Sequence, residues 1–99
     1  MKTHEEYMEL ALEEARKAEE IDEVPVGCVI VCDGEVISRG HNLKEQLNQA
    51  YAHAEMMTIQ KAAEVKGNWC LNDCDLYVTL EPCMMCTGII NLSRIRTVY

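Results

Sequence analysis

Basic residues are scarce in this sequence: 9 Lys and Arg stand against 17 Asp and Glu, a formal net charge of −8. That deficit argues against a protein held on nucleic acid by bulk charge, which is normally basic. Long apolar runs are missing as well. The longest stretch without a charged residue, Pro82 to Ser93, has 12 residues, too few to cross a bilayer. The opening Met1-Lys-Thr-His-Glu-Glu6 is polar, with no apolar run behind it, so it is not expected to be a secretory signal, and a cytoplasmic location away from membranes is expected. In that setting the six cysteines read as thiols or metal ligands rather than a disulfide framework. Repeats, linkers and low-complexity segments are absent too, so residues 1–99 read as a single domain. What is present suffices for a core. The chain is 48% hydrophobic, which excludes disorder, and a chain of this size buries roughly 65% of its unfolded surface.

Periodicity and turn chemistry predict the elements. Thr3 and Glu6 form a capping box. Behind it Tyr7, Met8, Ala11, Leu12, Ala15 and Ala18 recur near a 3.6 period, with a Glu- and Lys-rich solvated face opposite. This helix should stop before Pro25. Val26–Cys32 is a β-branched run, read as a strand buried on both faces. Asp33-Gly34 signals a hairpin into a second strand over Glu35–Arg39. Residues 40–50 read as irregular. A helix is expected over 52–65, with Met56, Ile59, Gln60 and Ala63 on one stripe and Gly67 as its stop. Asp75–Leu80, a helix to about Leu92, and Ile95–Tyr99 complete an order α-β-β-α-β-α-β, which implies a sheet covered by helices.

Two short motifs carry chemistry, His53-Ala54-Glu55 and Pro82-Cys83-Met84-Met85-Cys86, each at a predicted helix start. Cys83 and Cys86 share a helix face, and a helix N-terminus favours thiolates. His53 would complete a three-ligand zinc set through Nδ1 or Nε2, with the fourth position left for water, as in catalytic rather than structural sites. Water held there ionises near pH 7. Glu55 adds what a structural site does not need, a carboxylate to move the proton. H-x-E…P-C-x-x-C is the known signature of the zinc nucleobase deaminases. The bland alternative is a set of core thiols beside a surface histidine.

With these motifs in place, the sequence resembles the bacterial tRNA-specific adenosine deaminases of the cytidine deaminase-like superfamily. The resemblance rests on Glu23-Val-Pro-Val-Gly-Cys-Val-Ile-Val31, Gly40-His-Asn42, Ala52-His-Ala-Glu-Met56, Gly67-Asn-Trp69, Leu76-Tyr-Val-Thr-Leu-Glu-Pro-Cys-Met-Met-Cys86 and Ser93-Arg-Ile95 with Val98-Tyr99. It implies a three-layer α-β-α fold whose mixed sheet begins with an antiparallel hairpin. It implies hydrolysis of the wobble adenosine of a tRNA anticodon loop to inosine, by a homodimer holding one zinc per chain. The implied roles are His53, Cys83 and Cys86 on zinc, Glu55 as proton shuttle, Asn42 as a contact to the flipped-out base, and Val26 and the backbone around Ala54 as pocket lining. Gln49-Ala50-Tyr51, Met84, Thr87, Cys28 and Cys70 depart from the usual pattern, and Tyr51 could reshape the pocket rim. The family's last strand and C-terminal helices have no counterpart here, so a C-terminally truncated deaminase is expected. Two other functions use the same residues: deamination of a free base or nucleoside of guanine or cytosine type, or an inactive zinc-binding fragment. Elsewhere, Cys28, Cys32, Cys70 and Cys74 read as structural thiols, His4 and His41 as solvated, the methionines as core filler, and Arg94 and Arg96 as solvated or phosphate-facing.

Overall fold

The computed structural model describes residues 2–99. Helix α1, His4–Glu20, begins at the expected capping box: the Glu6 N–H donates to Thr3 Oγ1 (3.1 Å) and the Thr3 N–H to Glu6 Oε1 (3.2 Å). Strands β1, Gly27–Cys32, and β2, Glu35–His41, form the hairpin. Its turn residues Asp33 and Gly34 have φ of 52° and 78°, the doubly positive pair that a tight hairpin turn requires. A short helix α2, Lys44–Leu47, follows, then α3, Ala54–Lys66, stopped by Gly67 at φ 65°. Strand β3, Cys74–Val78, helix α4, Met84–Leu92, and strand β4, Thr97–Val98, complete the order. The sheet runs β2-β1-β3-β4, with β1 antiparallel to both neighbours and β4 parallel to β3.

The alternation of side chains along a strand gives this sheet two buried faces. Val29, Val31 and Tyr77 pack under Tyr7 and Ala11 of α1. Cys28, Ile30, Leu76 and Val78 pack on the other face with Ile59 and Ala62 of α3 and Ile90 of α4. These are the three α-β-α layers expected from the sequence. No helix of the described residues is long and apolar enough to cross a membrane.

Several local expectations differ. The segment 40–50 is not wholly irregular, since it holds α2. On α1 the buried set is Tyr7, Ala11, Glu14, Ala15 and Ala18, whereas Leu12 is 40% exposed. On α3 it is Ala54, Glu55, Thr58, Ile59 and Ala62, not the stripe through Met56 and Gln60. Met84 is 92% exposed, not core. His4 pairs through Nδ1 with the Tyr77 hydroxyl and packs on the Tyr99 ring. Arg96 makes a bidentate pair with Asp75, 2.9 Å at each contact.

Glycine 27 explains why an acid lies inside. A Cβ there would sit 1.9 Å from the Ala11 carbonyl oxygen and 2.4 Å from the Ala15 nitrogen, so only glycine lets α1 lie this close to β1. The close approach carries Glu14, 3% exposed, under the sheet edge. There it accepts from Lys17 Nζ (2.7 Å) and Arg39 Nε (2.7 Å), and pairs with His41 Nδ1 (2.9 Å). His41 is thus not solvated. Burial alone would push Glu14 up, but the hydrogen bonds from Lys17, His41 and Arg39 outweigh it and bring the carboxyl from its ordinary 4.5 down to about 2.

Two outcomes follow from this contact. Gly27→Ala should cost about 1–3 kcal/mol by overpacking, read as a lower urea midpoint. Because the Glu14 pKa is depressed on folding, its contribution is full above pH 4.5 and disappears as the pH falls towards about 2. Glu14→Gln should therefore be less stable at neutral pH, by on the order of 2 kcal/mol. The gap to the parent should close across that acid window; a gap independent of pH would remove Glu14 from the account.

Candidate metal centre

Both motifs fall at helix starts. His53 is the N-cap of α3 and Cys83 the N-cap of α4, both in extended backbone, and neither side chain caps its own helix. The two side chains are thereby left for another task. Cys83 Sγ and Cys86 Sγ each lie 3.6 Å from His53 Nδ1. All three candidate ligand atoms lie within 4.8 Å of one another. A tetrahedral zinc with Zn–S of about 2.3 Å and Zn–N of about 2.0–2.1 Å sets its sulfur and nitrogen ligands about 3.6 Å apart. The donor set therefore fits zinc, and it selects Nδ1 over Nε2. Three protein donors leave one of four positions for a small molecule.

Glu55 stands at the same helix start. It is 4% exposed, lies at the second position of α3, and lines the cavity beside His53 without joining the donor set. One electrostatic expectation is reversed. A helix start should favour thiolate, yet burial, then the neighbouring Glu55 charge and Cys83, push the Cys86 thiol up. Desolvation and a like charge outweigh the helix dipole here. A bound dication would invert that balance.

The cavity in front of these groups has a volume of about 210 Å³. That is below the roughly 300–1,000 Å³ of sites for drug-sized ligands and suits one flat heterocycle. Val26 and Asn42 line it. Around Ala54, His53 and Glu55 line it, while Ala54 itself is fully buried and donates its backbone N–H to Asn42 Oδ1 (2.7 Å) from behind. That bond fixes the orientation of the amide and leaves the Asn42 NH2 as a donor. Tyr51 is exposed and is not among the lining residues.

Lys44 and Leu80 also line the cavity and were not found by sequence reasoning. Lys44 is carried by α2, whose N-cap Leu43 has no capping side chain. The cap comes instead from Glu23, buried, which accepts the Glu45 N–H (3.1 Å) and the Gln46 N–H (2.7 Å). No spacing rule links Glu23 to α2, so the sequence carries no signal for it.

Comparison with known proteins agrees with this geometry. The profile of the cytidine and deoxycytidylate deaminase zinc-binding region matches residues 1–99. The tRNA-specific adenosine deaminase of Streptococcus pyogenes serotype M18 (strain MGAS8232) is 56% identical over 89 residues, 90% of this chain and 56% of that protein. That of Bacillus subtilis (strain 168) is 52% identical over 92 residues, 93% of this chain and 57% of its own length. This chain thus spans a little over half the length of these curated relatives. Among solved structures, one from a study of A-to-I editing by tRNA:A34 deaminases superposes with a TM-score of 0.94 at 53% identity, covering 96% of this chain and 73% of that one. A guanine deaminase from Bacillus subtilis superposes with a TM-score of 0.95 at 39% identity, covering 98% and 62%. A zinc-compatible triad, a buried carboxylate beside it and a match along the whole sequence lead to one conclusion: this chain belongs to the zinc-binding cytidine and deoxycytidylate deaminase family.

Proposed function

We propose that this protein hydrolyses the wobble adenosine of a tRNA anticodon loop to inosine, releasing ammonia. One observation carries the reading: His53, Cys83 and Glu55 line a single cavity sized for one base, with the buried Cys86 Sγ grouped behind it with His53 and Cys83, in a chain more than half identical to tRNA-specific adenosine deaminases. Zinc would be held by His53 Nδ1, Cys83 Sγ and Cys86 Sγ, and when bound supplies the Lewis acidity that makes water nucleophilic at neutral pH.

The chain's own groups do the rest. The Glu55 carboxylate takes a proton from water, delivers it to a ring nitrogen of the base, and serves the departing amine in the same way. Asn42, fixed by the Ala54 N–H, offers its NH2 to an acceptor on the base edge. Val26 and Leu80 give the ring apolar walls. A base reaches so small a cavity only after leaving its stack, and an anticodon loop lowers that cost. With a net charge of −8, attraction to phosphate must be local, and Lys44 at the cavity rim is a cation in that position. The working unit is read as a cytoplasmic homodimer. Leu80, Met84 and Leu92 are exposed apolar side chains that a second copy would cover.

Deamination of free guanine is the second reading, favoured by the superposition on the guanine deaminase. Inosine formation on an anticodon stem-loop, with guanine and cytosine run in parallel, separates the two. Turnover of free guanine with none on RNA would replace the first reading by the second. Glu55→Gln should lower turnover by about 10²–10⁴-fold while the zinc content holds. Cys86→Ser should lose the zinc itself. Activity retained in Glu55→Gln would remove Glu55 from the proton path. Asn42→Ala should keep zinc and lower kcat/KM on the stem-loop by about tenfold or more, a cost of about 1.4 kcal/mol.

A further inference from the structure

A second sulfur cluster lies at the other end of β1. Cys32 and Cys74 are register partners across β1 and β3 and share the face carrying Cys28, Ile30, Leu76 and Val78. The Thr79 N–H donates to the Gly27 carbonyl (3.1 Å), which marks that pair as hydrogen-bonded. An odd number of steps along, Cys32 and Cys74 face each other as a non-hydrogen-bonded pair, the closer class, with Cα atoms about 4.5 Å apart. Asp73 brings a carboxylate to both sulfurs: Oδ2 is 3.3 Å from Cys32 Sγ and Oδ1 3.4 Å from Cys74 Sγ. One ligand atom from each of the three lies within 4.8 Å of the others. A tetrahedral dication with M–S of about 2.3 Å and M–O of about 2.0–2.2 Å sets sulfur and oxygen ligands about 3.6 Å apart, so the set has to open by only a few tenths of an ångström.

The cluster already holds a cation of another kind. Lys66, in the last turn of α3, places Nζ on the Asp73 carboxylate and 3.6 Å from Cys32 Sγ. We propose that Cys32, Cys74 and Asp73 form a second metal site for a thiophilic dication of the zinc and cadmium class, with the Lys66 ammonium as its built-in competitor. Uptake balances simply. Two thiols release two protons, two metal–sulfur bonds and one metal–oxygen bond to Asp73 form as the ion sheds water, and Lys66 leaves the carboxylate still protonated. Two thiolates and one carboxylate exceed the dication by one negative charge, which the displaced Lys66 ammonium offsets from beside the site. Entry is from the side where Asp73 and Lys66 are partly exposed, while Cys74 is fully buried. Because the metal displaces two thiol protons, uptake competes with protons for the sulfurs.

Cadmium titration of the full chain under a non-thiol reductant tests this, with bound metal counted by equilibrium dialysis and thiolate-to-cadmium absorption. The parent should take two cadmium ions per chain. The double variants Cys32→Ser/Cys74→Ser and Cys83→Ser/Cys86→Ser should each take one. Lys66→Ala should tighten the second site, and Asp73→Asn should weaken it, each by about tenfold, which is about 1.4 kcal/mol. A single cadmium on the parent would overturn the site, as would two on Cys32→Ser/Cys74→Ser. A chain lighter by two hydrogens that takes no second cadmium would show a Cys32–Cys74 disulfide instead, and would also overturn it. Should the buried Cys74 substitution prevent folding, Asp73→Asn decides: unchanged second-site affinity in that variant rejects the proposal.

Discussion

Two helices begin side by side at one end of the sheet, and the residues at their N-caps do not cap. Everything at the centre depends on that. A helix start leaves its first backbone N–H groups without intrahelical partners and carries the positive end of the dipole. Ordinarily an N-cap side chain turns back to serve those groups. His53 and Cys83 occupy the two N-caps and turn elsewhere, towards each other. The first N–H of α3, from Ala54, is served from outside by Asn42 Oδ1. One side chain thus repairs the helix start and presents its remaining amide hydrogens to the cavity. The metal-donor candidates and an amide facing the cavity come from the same local arrangement.

Three buried glutamates divide the remaining labour, and their partners decide their roles. Glu14 is surrounded by Lys17, Arg39 and His41 and fastens α1 to β2. Glu23 accepts two backbone N–H groups and holds α2, and with it Lys44, at the cavity rim. Glu55 makes no ion pair among the described residues and looks into the cavity. A buried carboxylate without a fixed cation is poorly placed for stability and well placed to exchange a proton.

What the sequence made legible was local. The Thr3–Glu6 box, the Asp33-Gly34 turn, the Gly67 stop and the two metal motifs each act within a few residues, and each appears where expected. The features that escaped reading depend on contacts between distant segments. Glu14 belongs to a face that looks solvated until Gly27 lets β1 approach it. Helix α2 is capped by a residue from another loop. The inner face of α3 mixes Glu55 and Thr58 with Ile59 and Ala62, which hides its period. Thr58 resolves its own polarity by bonding back to the Ala54 carbonyl (2.7 Å). The pairing of Cys32 with Cys74 needs strand register, which hydrophobic pattern alone does not supply.

The central claim is that His53, Cys83 and Cys86 form a three-donor zinc centre with one place open. X-ray absorption at the zinc edge, on the full chain loaded with one equivalent of zinc, tests it most directly. The account predicts two sulfurs at about 2.3 Å, a nitrogen at about 2.0–2.1 Å with imidazole outer-shell scattering, and one light-atom ligand from solvent. An all-sulfur shell, or a shell without imidazole, would contradict it.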